Sequence, residues 1–427
     1  MKSEKLQQRL LAAISEIPAV DTHTHILPRL PFARNLGELL GSNCLTELAF
    51  SAGLEQEALA EGEPGPKAVE KLVGAMSAFD NTVQYGWVMD MARDLFDFPH
   101  AKLSENNWRE LAGAVESEAA EPARGREIMQ KAAVEKAFVV SSFWDDLSEM
   151  DQVVFSPVLN ANDLVFGLAK PEVRKSLKKN SKLSVSDSTA LRDAVDEVLK
   201  RFQQHGCAGV CLELPPHFKV FPVVENDFDT AIEKSNSKKP LSAGETANLH
   251  CGILFAVAEL CNAYGMPVML MSGAATGVYR HGVPYARDLP VADATLRSLL
   301  PLFNNFPKLN WCVSVLSGSQ AQELSTYGWI IQNVVISGDW RYHSVPEYIE
   351  RNLAARIQSV PKTKLIGYYS DTSKLELEYA KYKMYRRILA GVLADDFVSG
   401  GRGSEEDAVS LARYLLRDNA YRIFGLS

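Results

Sequence analysis

Several features are missing from this sequence, and each absence removes a class of function. No apolar run is long enough to cross a membrane, so no membrane partner is expected. Met1–Ser15 mixes charged and apolar residues, with Leu6, Leu10, Leu11 and Ile14 at helical spacing, and lacks the apolar core of a secretory leader. Long Lys/Arg blocks are missing too. The longest basic cluster, Arg174 to Lys182, is interleaved with Ser, Asn and Leu and reads as a solvated helix end. With a formal net charge of −8, nucleic acid is not an expected partner. The six cysteines (Cys44, Cys207, Cys211, Cys251, Cys261, Cys312) are scattered. Cys207 and Cys211 lie close in sequence, but no second pair completes a zinc-ribbon pattern, so buried free thiols in a cytoplasmic protein are expected. No internal repeat and no Gly-rich phosphate loop are present, which argues against a dinucleotide-binding open sheet.

Histidine is also scarce, with eight in 427 residues, yet two fall in Ala19–Val20–Asp21–Thr22–His23–Thr24–His25–Ile26. Apolar flanks and β-branched Thr predict a strand here. Alternation along it would put Asp21, His23 and His25 on one face. Two imidazoles on one rigid strand make half of a divalent-metal site. The bland alternative is an exposed edge strand.

Residues 35–136 follow with helical period and no convincing strand, interrupted at Gly62–Glu63–Pro64–Gly65–Pro66. Trp87, Met91 and Leu95 read as the core of this segment. Then a rhythm begins. Apolar strands are predicted at Ala137–Phe143, Val153–Asn160, Gly209–Leu214, Pro267–Ser272, Asn310–Leu316, Val334–Gly338 and Leu365–Ser370, most separated by helical patterns. Eight such units predict an α/β protein, a (β/α)8 TIM barrel with a helical insertion after the first strand. The expected division is 1–34 for the N-terminal helix and first strand, 35–136 for the insertion and 137–427 for the rest of the barrel. A doubly wound open sheet is the alternative.

In such a barrel the chemistry gathers where the strands end. Asp371, closing the last strand beside the first, is the expected third metal ligand with His23 and His25. It could also carry a proton. Its bland reading is an N-cap in Ser370–Asp371–Thr372–Ser373. Strand five, Pro267–Ser272, carries Met271 and offers no His. Glu213 closes strand four, with His217 beyond. His217 and His343 are read as substrate-facing or loop residues. Asp339–Trp340–Arg341–Tyr342 is read as pocket lining, and Arg386–Arg387 as surface charge.

Asp21–Thr22–His23–Thr24–His25 resembles the His-x-His of the amidohydrolase superfamily. The chain is most similar to the uronate isomerases within it, through Tyr85–Gly86–Trp87, Leu103–Ser104–Glu105–Asn106–Asn107–Trp108, Ser337–Gly338–Asp339–Trp340 and Gly367–Tyr368–Tyr369–Ser370–Asp371–Thr372–Ser373–Lys374. The resemblance implies metal ligands at His23, His25 and Asp371 and a pocket Trp at Trp340. It departs from the family at Asn160 and Ser373, where the family has Arg, and at Gly86, Leu212 and Met271, where it has His. Lys374 follows Ser373, and a Lys does not reproduce the two-pronged grip of an Arg on a carboxylate.

The resemblance implies aldose–ketose isomerisation of a sugar acid or related small molecule at one divalent ion. Asp371 or a Tyr (Tyr342, Tyr369) would move the proton, and Lys374, Arg341 or Arg29 would hold the carboxylate, with Asn160 nearby. Zinc is the expected ion, with manganese or another as alternatives. The missing Arg and His keep open a metal-dependent hydrolase of an amide, lactone or ester. A non-catalytic barrel is a third reading. Self-association into a homo-oligomer is left open.

Overall fold

The structure, a computed structural model, describes residues 2–55, 65–237, 239–283 and 288–426. Its centre is an eight-stranded, wholly parallel sheet. The strands are β1 (Ala19–Thr24), β2 (Val134–Ser142), β3 (Phe155–Asn160), β4 (Gly209–Leu214), β5 (Val268–Ser272), β6 (Ala274–Ala275), β7 (Leu289–Pro290), β8 (Trp311–Val315), β9 (Val334–Ser337) and β10 (Leu365–Ile366). Their spatial order is β1-β2-β3-β4-β5-β8-β9-β10, with β6 and β7 forming a separate antiparallel pair. Each central strand is a short apolar run buried on both faces, as a parallel sheet covered by helices requires.

The sheet curls until its edges meet. The N–H of Asp371 donates to the carbonyl of His23 (3.0 Å), and the N–H of His25 donates to that of Thr372 (2.7 Å). These bonds tie the chain just after β10 to the end of β1. The last strand is shorter than its apolar run suggests. Only Leu365 and Ile366 pair with β9, because residues 367–370 leave the ladder to reach β1. β2 starts three residues earlier than its apolar run, at Val134. The small β6–β7 sheet was not legible at all, being two residues in each strand.

Helices cover the sheet. Several carry the local signals that begin and end helices. Asp187 caps Ser188–Gln203 by accepting from the N–H of Ala190 (2.8 Å), and Ser242 with Glu245 forms a reciprocal cap on Ala243–Tyr264. Gly265 closes that last helix at φ +64°, a left-handed conformation that suits glycine. Between β1 and β2 the described elements are helices, among them Leu36–Leu40, Asn43–Ser51, Pro66–Ala75, Val83–Phe96 and Trp108–Ala119. The Gly62–Glu63–Pro64 part of the expected break lies outside the described residues. Trp87, Met91 and Leu95 are buried as expected.

Helix Leu375–Val392 is buried over most of its surface, with Glu376, Glu378, Lys381 and Arg386 all buried. Arg386 is therefore not surface charge. Its guanidinium donates to the carbonyls of Ile14 (2.6 Å) and Ala133 (2.9 Å), pinning the first helix and the entry to β2, while Arg387 is exposed. The six cysteines are free.

Candidate metal centre

β1 is buried along its whole length, and its end delivers His23 and His25 into a cavity of about 1330 Å³. Their rings stand edge to face with centroids 5.2 Å apart. Asp371 reaches the same point from beyond β10. Its Oδ1 lies 3.4 Å from His25 Nε2 and 3.8 Å from His23 Nε2. One donor atom from each residue lies within 4.8 Å of the other two. Asp371 has φ +52°, a left-handed conformation costly for a side-chain-bearing residue. The bond from its N–H to His23 holds it there. Asp371 does not cap the following helix, whose N-cap is Lys374.

Asp21 departs from the expectation that it shares the histidines' face. Pairing with β2 is irregular between Asp21 and Thr24, which resets the alternation. Asp21 accepts instead from the N–H groups of Ser370 (3.0 Å) and His23 (3.3 Å) and meets buried Glu378. Burial, then the charge of Asp21, hold the Glu378 carboxyl well above its usual range.

The donor set fits a divalent cation. Burial lowers the His23 pKa to about 4, leaving a neutral imidazole able to ligate. Burial would raise Asp371, but the hydrogen bond from His25 and the charges of His25, His23 and Lys381 outweigh it, so the carboxyl stays ionised. Two imidazoles and one carboxylate at an open cavity leave positions for a small molecule. Met271 lines the same cavity, and no further His among the described residues joins the cluster.

Of the other residues singled out in the sequence, Asn160, Trp340, Arg341, Tyr342 and Lys374 line this cavity. Asn160 Oδ1 accepts from the N–H of Asn162 (3.0 Å). Arg341 also sits at positive φ (+50°) and pairs with Asp288 (2.7 Å), with Glu47 at 3.7 Å. Tyr342 donates to the carbonyl of Asp288 (3.0 Å), and burial followed by the charge of Glu47 raises its phenol. Arg29 is exposed and outside the cavity lining. Tyr369 is buried against His23, its hydroxyl 3.0 Å from Ser314 Oγ. His343 is buried beside Asp339, and His217 is exposed near Asp293 (3.6 Å), so neither faces the cavity. Asp339, read as pocket lining, is buried and accepts from Arg356 (2.9 Å) and Asn352 (2.8 Å), which anchors the turn carrying Trp340.

Sequence reasoning missed Glu47, Asp288 and Lys381 at the cavity wall. They come from a helix, the position just before β7 and a second helix, and no periodicity marks them. Glu213, noted only as a strand end, has its Oε1 buried with no partner among the described residues. Burial raises its carboxyl.

No family model matches the chain. Two curated relatives are uronate isomerases. The one from Rhizorhabdus wittichii is 28% identical over 151 residues, 34% of this chain and 32% of its own length. The one from Cutibacterium acnes is 22% identical over 261 residues, 58% of this chain and 55% of its own length. The matched stretch thus spans about a third to a half of those relatives. Among solved structures, a glucuronate isomerase from Caulobacter crescentus superposes with a TM-score of 0.88 at 15% identity, covering 100% of this chain and 95% of its own. A uronate isomerase from Thermotoga maritima gives 0.86 at 19% identity, covering 98% and 97%. One from Bacillus halodurans gives 0.80 at 18% identity, covering 100% and 97%. From one end to the other, this chain has the fold of the uronate isomerases.

Proposed function

We propose that this chain is a metal-dependent isomerase that interconverts the aldose and ketose forms of a sugar acid. The observation that carries the reading is the convergence of His23, His25 and Asp371 in one large cavity, in a fold shared end to end with uronate isomerases. In this reading the curled sheet is a (β/α)8 barrel. Residues 1–34 supply its first strand, 35–136 are a helical insertion, and 137–427 complete it.

His23, His25 and Asp371 would hold one divalent ion, zinc being the expected one. When bound, that ion polarises the substrate's carbonyl and the neighbouring hydroxyl. The chain's own groups would move the protons. In the aldose-to-ketose direction the hydrogen on C2 passes to C1 and the hydroxyl proton on O2 passes to O1, through an enediol. Asp371, which stays ionised, would accept a proton, and Tyr342, which keeps its phenolic proton, would donate one by leaving the Asp288 carbonyl. Trp340, Asn160 and Arg341 would orient the sugar from the wall.

The test is turnover of a uronate panel followed by NMR, in water enriched in heavy oxygen, with metal content measured in parallel. Ketose formation that is lost on chelation and restored by zinc or manganese supports the reading. No uronate turnover, together with heavy oxygen appearing in the product of an amide, lactone or ester, would replace it with a hydrolase.

A further inference from the structure

The cavity wall carries three described cations that a substrate carboxylate could meet: Arg341, Lys374 and Lys381. Two of them are committed inside the protein. Lys374 Nζ donates to Glu38 Oε2 (2.8 Å) and to the carbonyls of Leu30 and Phe32 (both 3.2 Å), three acceptors for the three N–H bonds of an ammonium. Arg341 is paired with Asp288 and faces Glu47, so its charge is already opposed by two carboxylates.

Lys381 differs. It is 6% exposed on helix Leu375–Val392. Its Nζ donates to the carbonyl of Ser370 (2.7 Å) and sits 4.9 Å from the ring centroid of Trp87. No described carboxylate lies within salt-bridge distance of it. A carbonyl and an aromatic face orient an ammonium but do not neutralise it. Asp371 feels the Lys381 charge from farther off, but a buried ammonium with no carboxylate in direct contact is costly, and the cost is relieved when an anion arrives beside it. Trp87 and Lys381 face the cavity together with the three candidate ligands.

We propose that Lys381 is the cation that holds the carboxylate of the bound sugar acid, standing in for the Arg missing at Asn160 and Ser373. This rests on the isomerase reading for the identity of the substrate, not for the existence of an anion subsite. Glu47, Glu213 and Asp288, which line the same cavity, would repel a carboxylate brought against them. The substrate thus enters with its acid group toward Lys381 and Trp87 and its hydroxyls toward those carboxylates.

The experiment uses two probes that cannot react, d-gluconate and its neutral counterpart d-glucitol, titrated calorimetrically into metal-loaded protein. Wild type should prefer gluconate. Lys381→Met should lose at least about tenfold in gluconate affinity with glucitol binding unchanged, and Lys381→Arg should recover part of the loss. Equal loss for both probes, or unchanged gluconate binding in Lys381→Met, overturns the proposal. If Lys381→Met does not fold, Lys381→Gln replaces it. A wild type that binds glucitol as tightly as gluconate overturns the proposal without any variant. Uronate turnover alongside Lys381-independent gluconate binding sinks the subsite and leaves the isomerase. Lys381-dependent gluconate binding with no turnover of any uronate sinks the isomerase and leaves the subsite.

Discussion

The two ends of the curled sheet are made from the same strands and differ in everything else. Toward the strand starts, Val20, Phe138, Val158, Met269, Cys312, Val335 and Ile366 fill the interior, and helix Asn419–Phe424 closes it, with the Phe424 ring 4.9 Å from that of Phe138. Where the strands finish, His23, His25, Glu213, Arg341 and Asp371 surround a wide cavity. Because all the strands run the same way, every chain segment leaving a strand adds its polar side chains to one end. The apolar end holds the sheet closed, and the polar end can then carry groups that would otherwise be destabilising, such as two left-handed residues, Asp371 and Arg341.

The sharpest way to break this contrast is at the polar end. His23→Ala and Asp371→Asn should each lower kcat/KM by about a thousandfold or more and take bound metal from about one equivalent per chain to a small fraction of it. Steady-state kinetics and elemental analysis read both. A His23→Ala protein that keeps its metal and its rate would mean the chemistry lies elsewhere. At the apolar end, Phe424→Ala should cost roughly 3–5 kcal/mol in denaturant unfolding while leaving kcat per folded molecule within about twofold. A rate loss as large as that of His23→Ala would erase the distinction between the ends.

A third test lies on the helix that joins the two ends. Glu376 is 1% exposed and accepts from the N–H of Ala33 (2.9 Å), and burial pushes its carboxyl up to about 7. A folded pKa above the unfolded value means the stability is fully present below about pH 4.5 and is lost as the pH rises through about 7. The loss approaches about 3 kcal/mol by pH 8. Glu376→Gln should flatten that part of the stability–pH curve, and a curve unchanged by the substitution would show that Glu376 does not titrate there. The smallest effect is expected at Lys374. Lys374→Met should cost roughly 2 kcal/mol of stability by uncoupling the buried Glu38, and should weaken gluconate binding less than Lys381→Met does. The reverse order would move the acid subsite to Lys374.

Much of the architecture was legible. Buried parallel strands are apolar runs, and β3, β4, β5, β8 and β9 fall within two residues of where those runs lie. The juxtaposition of His23, His25 and Asp371 was legible for a related reason: His23 and His25 are neighbours on one strand, and Asp371 ends the last apolar run. Elsewhere the reading failed where contacts are long-range. Asp21 was assigned to the wrong face because an irregular pairing cannot be seen in one strand alone. Arg386 looked like surface charge because its carbonyl partners lie more than 250 residues away. Lys374 looked like a free cation because Glu38 closes on it from the other end of the chain.

Local order in the sequence by itself determined the alternation of strands and helices and the strand carrying two imidazoles. Those features depend on hydrophobic period and residue type within a few positions. Only the tertiary structure decided which charges are already neutralised. A Lys or Arg reads the same in any sequence, but whether its charge is matched depends on what folding brings within a few ångströms. That is why Lys374 is a staple inside the protein while Lys381, seven residues further on, lines the same cavity with a carbonyl as its hydrogen-bond partner.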